Sequence, residues 1–220
     1  MFKRVLALFT LCAFAGGATA YAAAKLSGKP TAAETPFVQS IQKDLMTRFP
    51  TAKDAAAAGY TRYTNEDDTG AISYVNLAWS SADPQHPSQL WYDVNGNLLG
   101  ADFSVLQKGS PTRPSIWGVS PQRWDDFSAH IHYVLKDASG KVTYGATSVK
   151  KYTAAGGNAD SPTAAPLVQL GKAKNAAEVQ TVFLFPKLWD LIVWVKPNPD
   201  GAFADKNPLV HPSPTAEKGM

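Results

Sequence analysis

Cysteine is almost absent from this sequence. The 220 residues include one cysteine, Cys12, which lies in an apolar segment close to the N-terminus. If export removes that segment, the remaining chain has no disulfide, no thiolate ligand for a metal ion and no cysteine nucleophile. Any chemistry must then come from histidine, carboxyl, hydroxyl or aromatic side chains.

Hydrophobic runs long enough to cross a membrane are also missing. The apolar run at residues 5–15 has 11 residues, whereas a hydrocarbon core about 30 Å thick requires roughly 20 helical residues. Residues 188–195 are no longer than a β-strand. We therefore expect no stable insertion into a membrane. For the run at residues 5–15, a short N-terminal membrane anchor is the alternative.

That first run has the three parts of a secretory signal peptide. Lys3 and Arg4 precede it, two glycines follow it, and positions 18–20 and 22–24 each form an alanine-x-alanine triplet. This order is typical of a cleavable export signal. The sequence predicts a signal peptide over residues 1–24, cleaved at one of two sites, and an exported protein that works in the periplasm or outside the cell.

A large excess of one charge sign is missing as well. The chain has 21 Lys and Arg residues against 18 Asp and Glu residues. Removing Lys3 and Arg4 with the signal leaves 19 basic residues, a formal charge of about +1. The basic residues form no stripe that could follow a phosphate backbone, so nucleic acid is not an expected partner.

Composition divides the remaining chain into a lead-in, one domain and a tail. Residues 25–34 are mostly Lys, Ser, Gly, Pro and Ala without a period, which predicts a flexible lead-in. Residues 35–210 are enough for a single domain with its own core. Within it, residues 153–174 have the composition of a long surface loop, and residues 211–220 are expected to form a tail.

Two helices are predicted at the start of the domain. Thr35 and Pro36 read as an N-cap and a first helical residue, and apolar residues then recur at helical spacing up to Phe49. Pro50 ends that helix. Thr51 can cap a second, short helix through residues 55–58 that stops at Gly59.

Strand patterns dominate the rest of the domain. Residues 89–94 and 98–106 flank Asn95-Gly96, which predicts a hairpin with a type I′ turn. In the second arm apolar and polar residues alternate, so we expect one buried face. Further strands are predicted over residues 72–77, 129–136, 141–150 and 188–195, the last one central in a sheet.

Helices followed by hairpins predict an α+β fold. We expect the N-terminal helices to pack on a curved antiparallel sheet built from hairpins. A cone of the nuclear-transport-factor type (NTF2-like) and a small barrel are the two forms that suit this order.

The most suggestive local feature is the His130-Ile131-His132 sequence. Alternate side chains of a strand share a face, so both imidazoles would point the same way and could bind one transition metal ion. Asp126, Asp137 and Asp190 are the possible further ligands. The alternative is two histidines on a half-exposed sheet face, hydrogen-bonded to their neighbours.

Asp190 is the candidate catalytic residue. Its carboxyl lies amid apolar residues in the predicted central strand, where burial is costly unless the group is paired or protonated. It could orient His130 or His132 as a base. Alternatively, it could pair with loop amides or with an arginine such as Arg113 or Arg123.

Tryptophan is abundant for this length. Most of the six residues are expected to fill the core, and a subset could line an apolar pocket in the mouth of a curved sheet. They are Trp79, Trp91, Trp117, Trp124, Trp189 and Trp194.

Several segments together resemble a group of uncharacterised exported proteins. The group has a histidine-tyrosine-valine-asparagine motif and a tryptophan strand that runs into asparagine-proline-aspartate-glycine-x-phenylalanine-alanine. The matching segments here are Ser73-Tyr74-Val75-Asn76, Leu90-Trp91-Tyr92, residues 99–103 and residues 190–204, closing at Asn207-Pro208. The resemblance implies a shared fold but no activity.

The sequence departs from that pattern at two histidine positions. Ser73 replaces the histidine of the first motif, and Ile192 stands where the tryptophan strand of the group carries another. If those histidines form a site in the relatives, the resemblance implies that the same site is missing from this chain.

Three functions fit these patterns. The first is an exported binding module for a small apolar or aromatic ligand or a protein partner. The second is a metal-binding protein or metal-dependent enzyme built on His130 and His132. The third is a structural envelope protein. No complete catalytic motif is present, so enzymatic activity stays an open question.

Overall fold

A computed structural model describes residues 26–79, 82–109 and 111–217. The predicted signal peptide, with both cleavage sites, and the last three residues of the predicted tail lie outside these ranges. Within the described residues, no helix is both long enough and apolar enough to span a bilayer.

The chain forms four helices and nine strands over the described residues. The helices are α1 (Thr35–Arg48), α2 (Ala52–Ala57), α3 (Val149–Ala154) and α4 (Ala164–Gln169). The strands are β1 (Thr61–Arg62), β2 (Ile72–Val75), β3 (Gln89–Tyr92), β4 (Leu98–Leu106), β5 (Asp125–Phe127), β6 (His130–Lys136), β7 (Val142–Ser148), β8 (Val179–Phe185) and β9 (Leu188–Trp194).

The strands form two antiparallel sheets. The larger one has the order β1-β2-β3-β4-β9-β5, and the smaller one has the order β7-β6-β8. The predicted α+β fold is therefore confirmed, and β9 lies inside the larger sheet between β4 and β5 as expected. The barrel alternative is wrong, because in the described part of the chain both sheets stay open.

Helix α1 covers one face of the larger sheet. Its residues Val38, Ile41 and Leu45 are buried and share a core with alternate residues of the central strands, since those side chains point to the same face. The partners on the sheet are Leu90, Tyr92, Ala101, Phe103, Leu191 and Val193. The intervening residues of these strands, several of which are polar, point to the opposite face of the sheet.

The smaller sheet packs over that opposite face. Phe185 of β8 shares a cluster with Tyr63, Val75 and Leu188 from the side of the larger sheet. The outer face of the smaller sheet packs against α3 and α4 through Ile131, Tyr133, Tyr152 and Leu167. The central strands of the larger sheet are thus buried on both faces, whereas the alternation in β4 predicted one buried face.

Helix boundaries lie close to the predicted ones. Helix α1 is capped by Glu34, and Thr35 is its first residue, with Oγ1 donating to the Thr31 carbonyl at 2.8 Å. The predicted cap of α2 is confirmed, because Thr51 and Asp54 form a reciprocal capping box. That helix begins directly after Thr51 and ends before Gly59, as expected.

Both long hairpins turn through an aspartate and a glycine. Oδ1 of Asp93 accepts the backbone N–H groups of Asn95 and Asn97, each at 2.9 Å. Asp137 accepts the corresponding N–H groups of its own turn in the same way. Gly96 has a φ of 78°, but Asn95 does not have a positive φ, so the predicted type I′ turn is wrong. The aspartate favours this wider turn because its carboxylate replaces missing backbone partners.

The predicted long loop at residues 153–174 contains a helix. Helix α4 buries Leu167 against Tyr152 of α3. Pro166 lies in the first turn of α4, where a backbone N–H has no helical partner in any case. Loop composition was therefore misleading here, because proline is tolerated at a helix start.

The lead-in and the tail make specific contacts. Arg123 donates to the carbonyls of Ser27 and Lys29 and to the carboxylate of Glu34. At the other end, the backbone N–H of Ser213 donates to the carboxylate of Glu66 at 2.7 Å. Residues 26–34 and 211–217 are thus tied to the domain, although their composition predicts flexible ends.

The Arg123–Glu34 pair generates a prediction about stability. Both side chains are buried, at 8% and 1% exposure, and their N–O distance is 3.0 Å. Arg123→Met leaves the Glu34 charge buried without its partner, so we expect the free energy of unfolding to fall by about 3–5 kcal/mol. Urea unfolding at neutral pH measures this loss, and Arg123→Met combined with Glu34→Leu should recover part of it.

The same pair makes a matching prediction about pH. Burial alone raises the pKa of Glu34, but hydrogen bonds from Arg123 and from the backbone N–H groups of Thr31 and Ser120 lower it to about 2. The stability that this carboxylate contributes is present above its ordinary pKa of 4.5 and is lost as the pH falls toward 2. A stability difference between the natural protein and Glu34→Gln that persisted at about pH 2 would contradict the assignment.

Candidate functional site

The polar face of the larger sheet brings two aspartates together. Asp102 and Ser104 lie on the same face of β4, and Asp190 on β9 is directly opposite Ser104. The Asp102 and Asp190 carboxyl groups are therefore diagonal neighbours, close enough to hydrogen-bond to each other. They are 5% and 6% exposed.

Neighbouring side chains fix both carboxyl groups in place. Nε1 of Trp91 donates to Oδ2 of Asp102 at 2.8 Å, and Oγ of Ser104 donates to Oδ1 of Asp190 at 2.8 Å. In the described part of the chain, no donor reaches Oδ1 of Asp102. A hydrogen bond between the two carboxyl groups needs a proton on one of them, because both are acceptors when ionised.

Burial sets the protonation of this pair. It raises the pKa of Asp190 to about 6, although the hydrogen bond from Ser104 lowers it in part. It also raises the pKa of Asp102 well above the ordinary value, and the neighbouring Asp190 charge adds to that effect. The two groups therefore share one proton at neutral pH, and both are protonated once the pH falls below about 6.

The two histidines converge on each other across the face of β6. Their Nε2 atoms are 2.8 Å apart, and Nδ1 of His130 is 2.8 Å from the Ser128 carbonyl oxygen. Since a carbonyl only accepts, His130 carries its proton on Nδ1 and its Nε2 accepts from Nε2 of His132. Nδ1 of His132 is buried and has no well-aligned hydrogen-bond partner among the described residues.

Aromatic rings surround this pair. The ring of Phe185 stacks on His130 with the centroids 5.0 Å apart, and Tyr63 meets His132 edge-on at 4.7 Å. His132 is 3% exposed, so the sheet face is more buried than the half-exposed face that we expected. Burial lowers the pKa of His130 and brings that of His132 to about 3, and both rings are neutral at neutral pH.

One cavity joins the aspartate pair to the histidine pair. It has a volume of about 260 Å³ and lies between the two sheets. The predicted site residues His130, His132 and Asp190 all line it, as do Trp91 and Trp194 of the tryptophan set. Its remaining lining residues are Tyr63, Thr64, Asp67, Thr69, Ala71, Ser73, Gln89, Asp102, Phe127, Ile192 and Asp205.

The two positions that depart from the resembling group also line this cavity. Ser73 of β2 and Ile192 of β9 lie on the same face as Asp102 and Asp190. The positions at which the resemblance implies histidines are therefore grouped in space.

The other predicted ligands and partners lie elsewhere. Asp126 accepts from Nε2 of Gln107 at 2.7 Å, and Asp137 belongs to the hairpin turn between β6 and β7. The guanidinium of Arg113 lies over the ring of Trp189 and that of Arg123 pairs with Glu34, so the proposed pairing of Asp190 with an arginine is wrong.

A complete set of metal ligands is not found. Among the residues that the structure describes, no group of three or more His, Cys, Asp or Glu side chains is placed to hold a metal ion. The metal site at His130 and His132, with Asp126, Asp137 or Asp190 as a further ligand, stays a prediction.

Sequence reasoning missed two members of the site. Asp102 alternates with apolar residues in β4, and that pattern suggested a solvent-facing side chain. Tyr63 follows the two-residue strand β1 and donates from its hydroxyl to Oε1 of Gln89. The alternation of polar and apolar residues in Asp102-Phe103-Ser104, beside a strand with tryptophan, could have indicated Asp102. No local sequence pattern indicates Tyr63.

The carboxyl pair generates a prediction about stability and pH. In the folded protein the pair keeps protons that the unfolded chain releases above the ordinary pKa of 3.8, so the free energy of unfolding should fall as the pH rises through about 6. Asp102→Asn removes one of the two charges. We expect this variant to be more stable than the natural protein by roughly 1–3 kcal/mol at about pH 8 and to lose less stability between about pH 4 and pH 8.

Urea unfolding at several pH values measures this effect. Asp126→Asn, at an exposed carboxyl outside the pair, is the matched control. Equal pH dependence in Asp102→Asn and in the natural protein would show that the two carboxyl groups do not share a proton.

Comparison with known proteins adds no assignment. No protein-family model, no curated protein and no solved structure matches the chain. The functional argument therefore depends on the geometry of the cavity, and the resemblance to exported proteins stays a prediction.

Proposed function

We propose that this protein is an exported binding protein for a small molecule, which it holds in the cavity beside Asp102 and Asp190. One observation carries the proposal: two buried carboxyl groups line this cavity, each receives one side-chain donor, and no lysine or arginine of the described residues lines the cavity with them. A buried carboxylate without a cation is costly. A ligand that donates hydrogen bonds to the pair offsets that cost.

The walls of the cavity support the same function. Trp91, Trp194 and Tyr63 provide apolar surface, while Gln89, Ser73 and the two aspartates provide a few polar groups. This combination is common in ligand pockets. A volume of about 260 Å³ suits a compact ligand.

A small molecule fits the surface better than a protein partner does. The large hydrophobic side chains that are exposed in the described residues belong to different segments of the chain: Leu26, Met46, Val94, Phe127, Val142 and Leu209. Contiguous exposed apolar surface is the usual mark of a protein interface. The concave, aromatic-lined site between the sheets is instead the shape that small ligands use.

The proposed function includes export of the protein from the cytoplasm. The N-terminal basic residues, the 11-residue apolar run and the alanine triplets of the sequence support a signal peptide over residues 1–24. A mature chain without cysteine is suited to an oxidising compartment, where no thiol can be oxidised or mispaired.

The function is tested by a fragment panel that covers cationic, neutral and anionic aromatic compounds. The reporters are the indole N–H signals of Trp91 and Trp194 in two-dimensional ¹⁵N NMR spectra, since both rings line the cavity. We expect at least one compound to shift these signals saturably. Ser73→Leu, which fills the cavity, should abolish the shift, and Thr143→Leu, at an exposed position of β7, should leave it unchanged.

Two results would contradict the binding function. The first is that no compound of any charge class gives a saturable shift. The second is that Ser73→Leu, still folded by its spectrum, binds the panel as well as the natural protein does. Either result would remove the cavity as the site.

Transition-metal binding is the second candidate, and the 2.8 Å approach of the two Nε2 atoms favours it. Two imidazoles that bind one ion at about 2.0–2.1 Å bring their nitrogens to a similar separation. The ion would need a carboxylate or solvent as a further ligand, and Asp190 lines the same cavity.

Elemental analysis of protein purified without a histidine tag tests the second candidate. It predicts a stoichiometric transition metal that disappears in the His130→Ala/His132→Ala double variant. Metal-free protein whose melting temperature does not change on adding zinc or copper would rule the site out.

A further inference from the structure

The charged groups that line the cavity are all acidic in the described part of the chain. They are Asp67, Asp102, Asp190 and Asp205, and no lysine or arginine lines the cavity with them. His130 and His132 add no positive charge, because both rings are neutral at neutral pH. A cavity of this composition attracts cations and repels anions.

The carboxyl pair offers acceptors that the protein leaves partly unused. Asp67 is occupied, since its Oδ1 accepts the backbone N–H groups of Thr69 and Ala71 at 2.8 and 3.2 Å. Asp102 and Asp190 each receive one donor from another side chain, and the hydrogen bond between them depends on the proton that they share. A ligand with several N–H groups at one end would supply what this pair lacks.

Two fixed aromatic rings stand beside these acceptors. The rings of Trp91 and Trp194 meet edge-on at 5.4 Å. The indole of Trp91 is held by Asp102, and that of Trp194 donates to the Ala204 carbonyl at 2.6 Å. The faces of such rings attract organic cations through their negative quadrupole, by about 0.5–2 kcal/mol.

Resting on the proposed binding function, we infer that the ligand is a primary organic ammonium ion. Its N–H groups donate to Asp102 and Asp190, and its apolar part lies against Trp91 and Trp194. A metal ion fits these walls less well, because indole rings offer no lone pair and no three described His, Cys, Asp or Glu residues form a metal site. A quaternary ammonium has no N–H to donate, and a neutral ligand leaves the negative charge without a counter-ion.

The charge of the ligand is tested with a matched series of compounds. Benzylamine, benzyl alcohol, benzoate and benzyltrimethylammonium share one ring and differ in the head group. Each is titrated at neutral pH against the full exported chain, with the Trp91 and Trp194 indole N–H signals as reporters. We expect benzylamine to bind at least about tenfold more tightly than each of the other three compounds.

Variants at the carboxyl pair test which groups recognise the head group. Asp102→Asn should weaken benzylamine binding at least about tenfold and leave the affinity for benzyl alcohol within about twofold. Asp160→Asn, at an exposed carboxyl that does not line the cavity, should change neither affinity. The NMR spectrum of each variant reports whether it is folded, and Asp190→Asn is the second variant if Asp102→Asn is not.

The outcomes separate the ligand class from the function. If benzyl alcohol or benzyltrimethylammonium binds as tightly as benzylamine, the ammonium assignment is wrong and small-molecule binding stands. If zinc chloride displaces benzylamine at stoichiometric concentration, the cation of this cavity is a metal and the assignment is wrong. If no compound of either panel binds, the binding function fails together with the assignment.

Discussion

Two carboxyl groups meet between the sheets, and their charge must be balanced in a largely buried cavity. Asp102 and Asp190 are almost fully buried, and no lysine or arginine lines the cavity beside them. Burial raises the pKa of both because the ionised forms have lost hydration, and the Asp190 charge raises that of Asp102 further. The pair therefore holds a proton or accepts a cation from outside, and the surrounding residues are arranged to permit both.

The two-sheet arrangement is the reason that the Asp102–Asp190 pair is buried. Strands β4 and β9 have α1 on one side and the smaller sheet on the other, so even the polar residues of these strands are buried. Trp91 and Ser104 each donate to one carboxyl group, which fixes the acceptors without neutralising them. On the other side of the cavity, His130 and His132 hydrogen-bond to each other and carry no charge. They therefore provide no positive charge to balance the aspartates.

Much of this fold follows from local patterns, and the site follows only in part. The period of α1, the Thr51 cap and the two hairpins were predicted because each depends on residues close in sequence. His130, His132 and Asp190, which were chosen from the sequence, all line one cavity. Asp102 was missed because the alternation of a strand shows that its two faces differ and does not show whether a second sheet covers the polar face. Tyr63 enters the site directly after a two-residue strand, which is too short to show a periodicity.

Comparison of two buried acidic sites explains why only one is assigned a ligand. Glu34 is as buried as Asp102, yet its pKa is lowered because Arg123 and two backbone N–H groups satisfy its carboxylate. That group is complete, and its role is to hold the N-terminal segment on the domain. Asp102 and Asp190 have the opposite shift because the protein supplies too few donors and no cation to them. This domain satisfies the buried Glu34 carboxylate fully but does not do so for Asp102 and Asp190. The missing donors and the missing cation of that pair are what a bound ligand would supply.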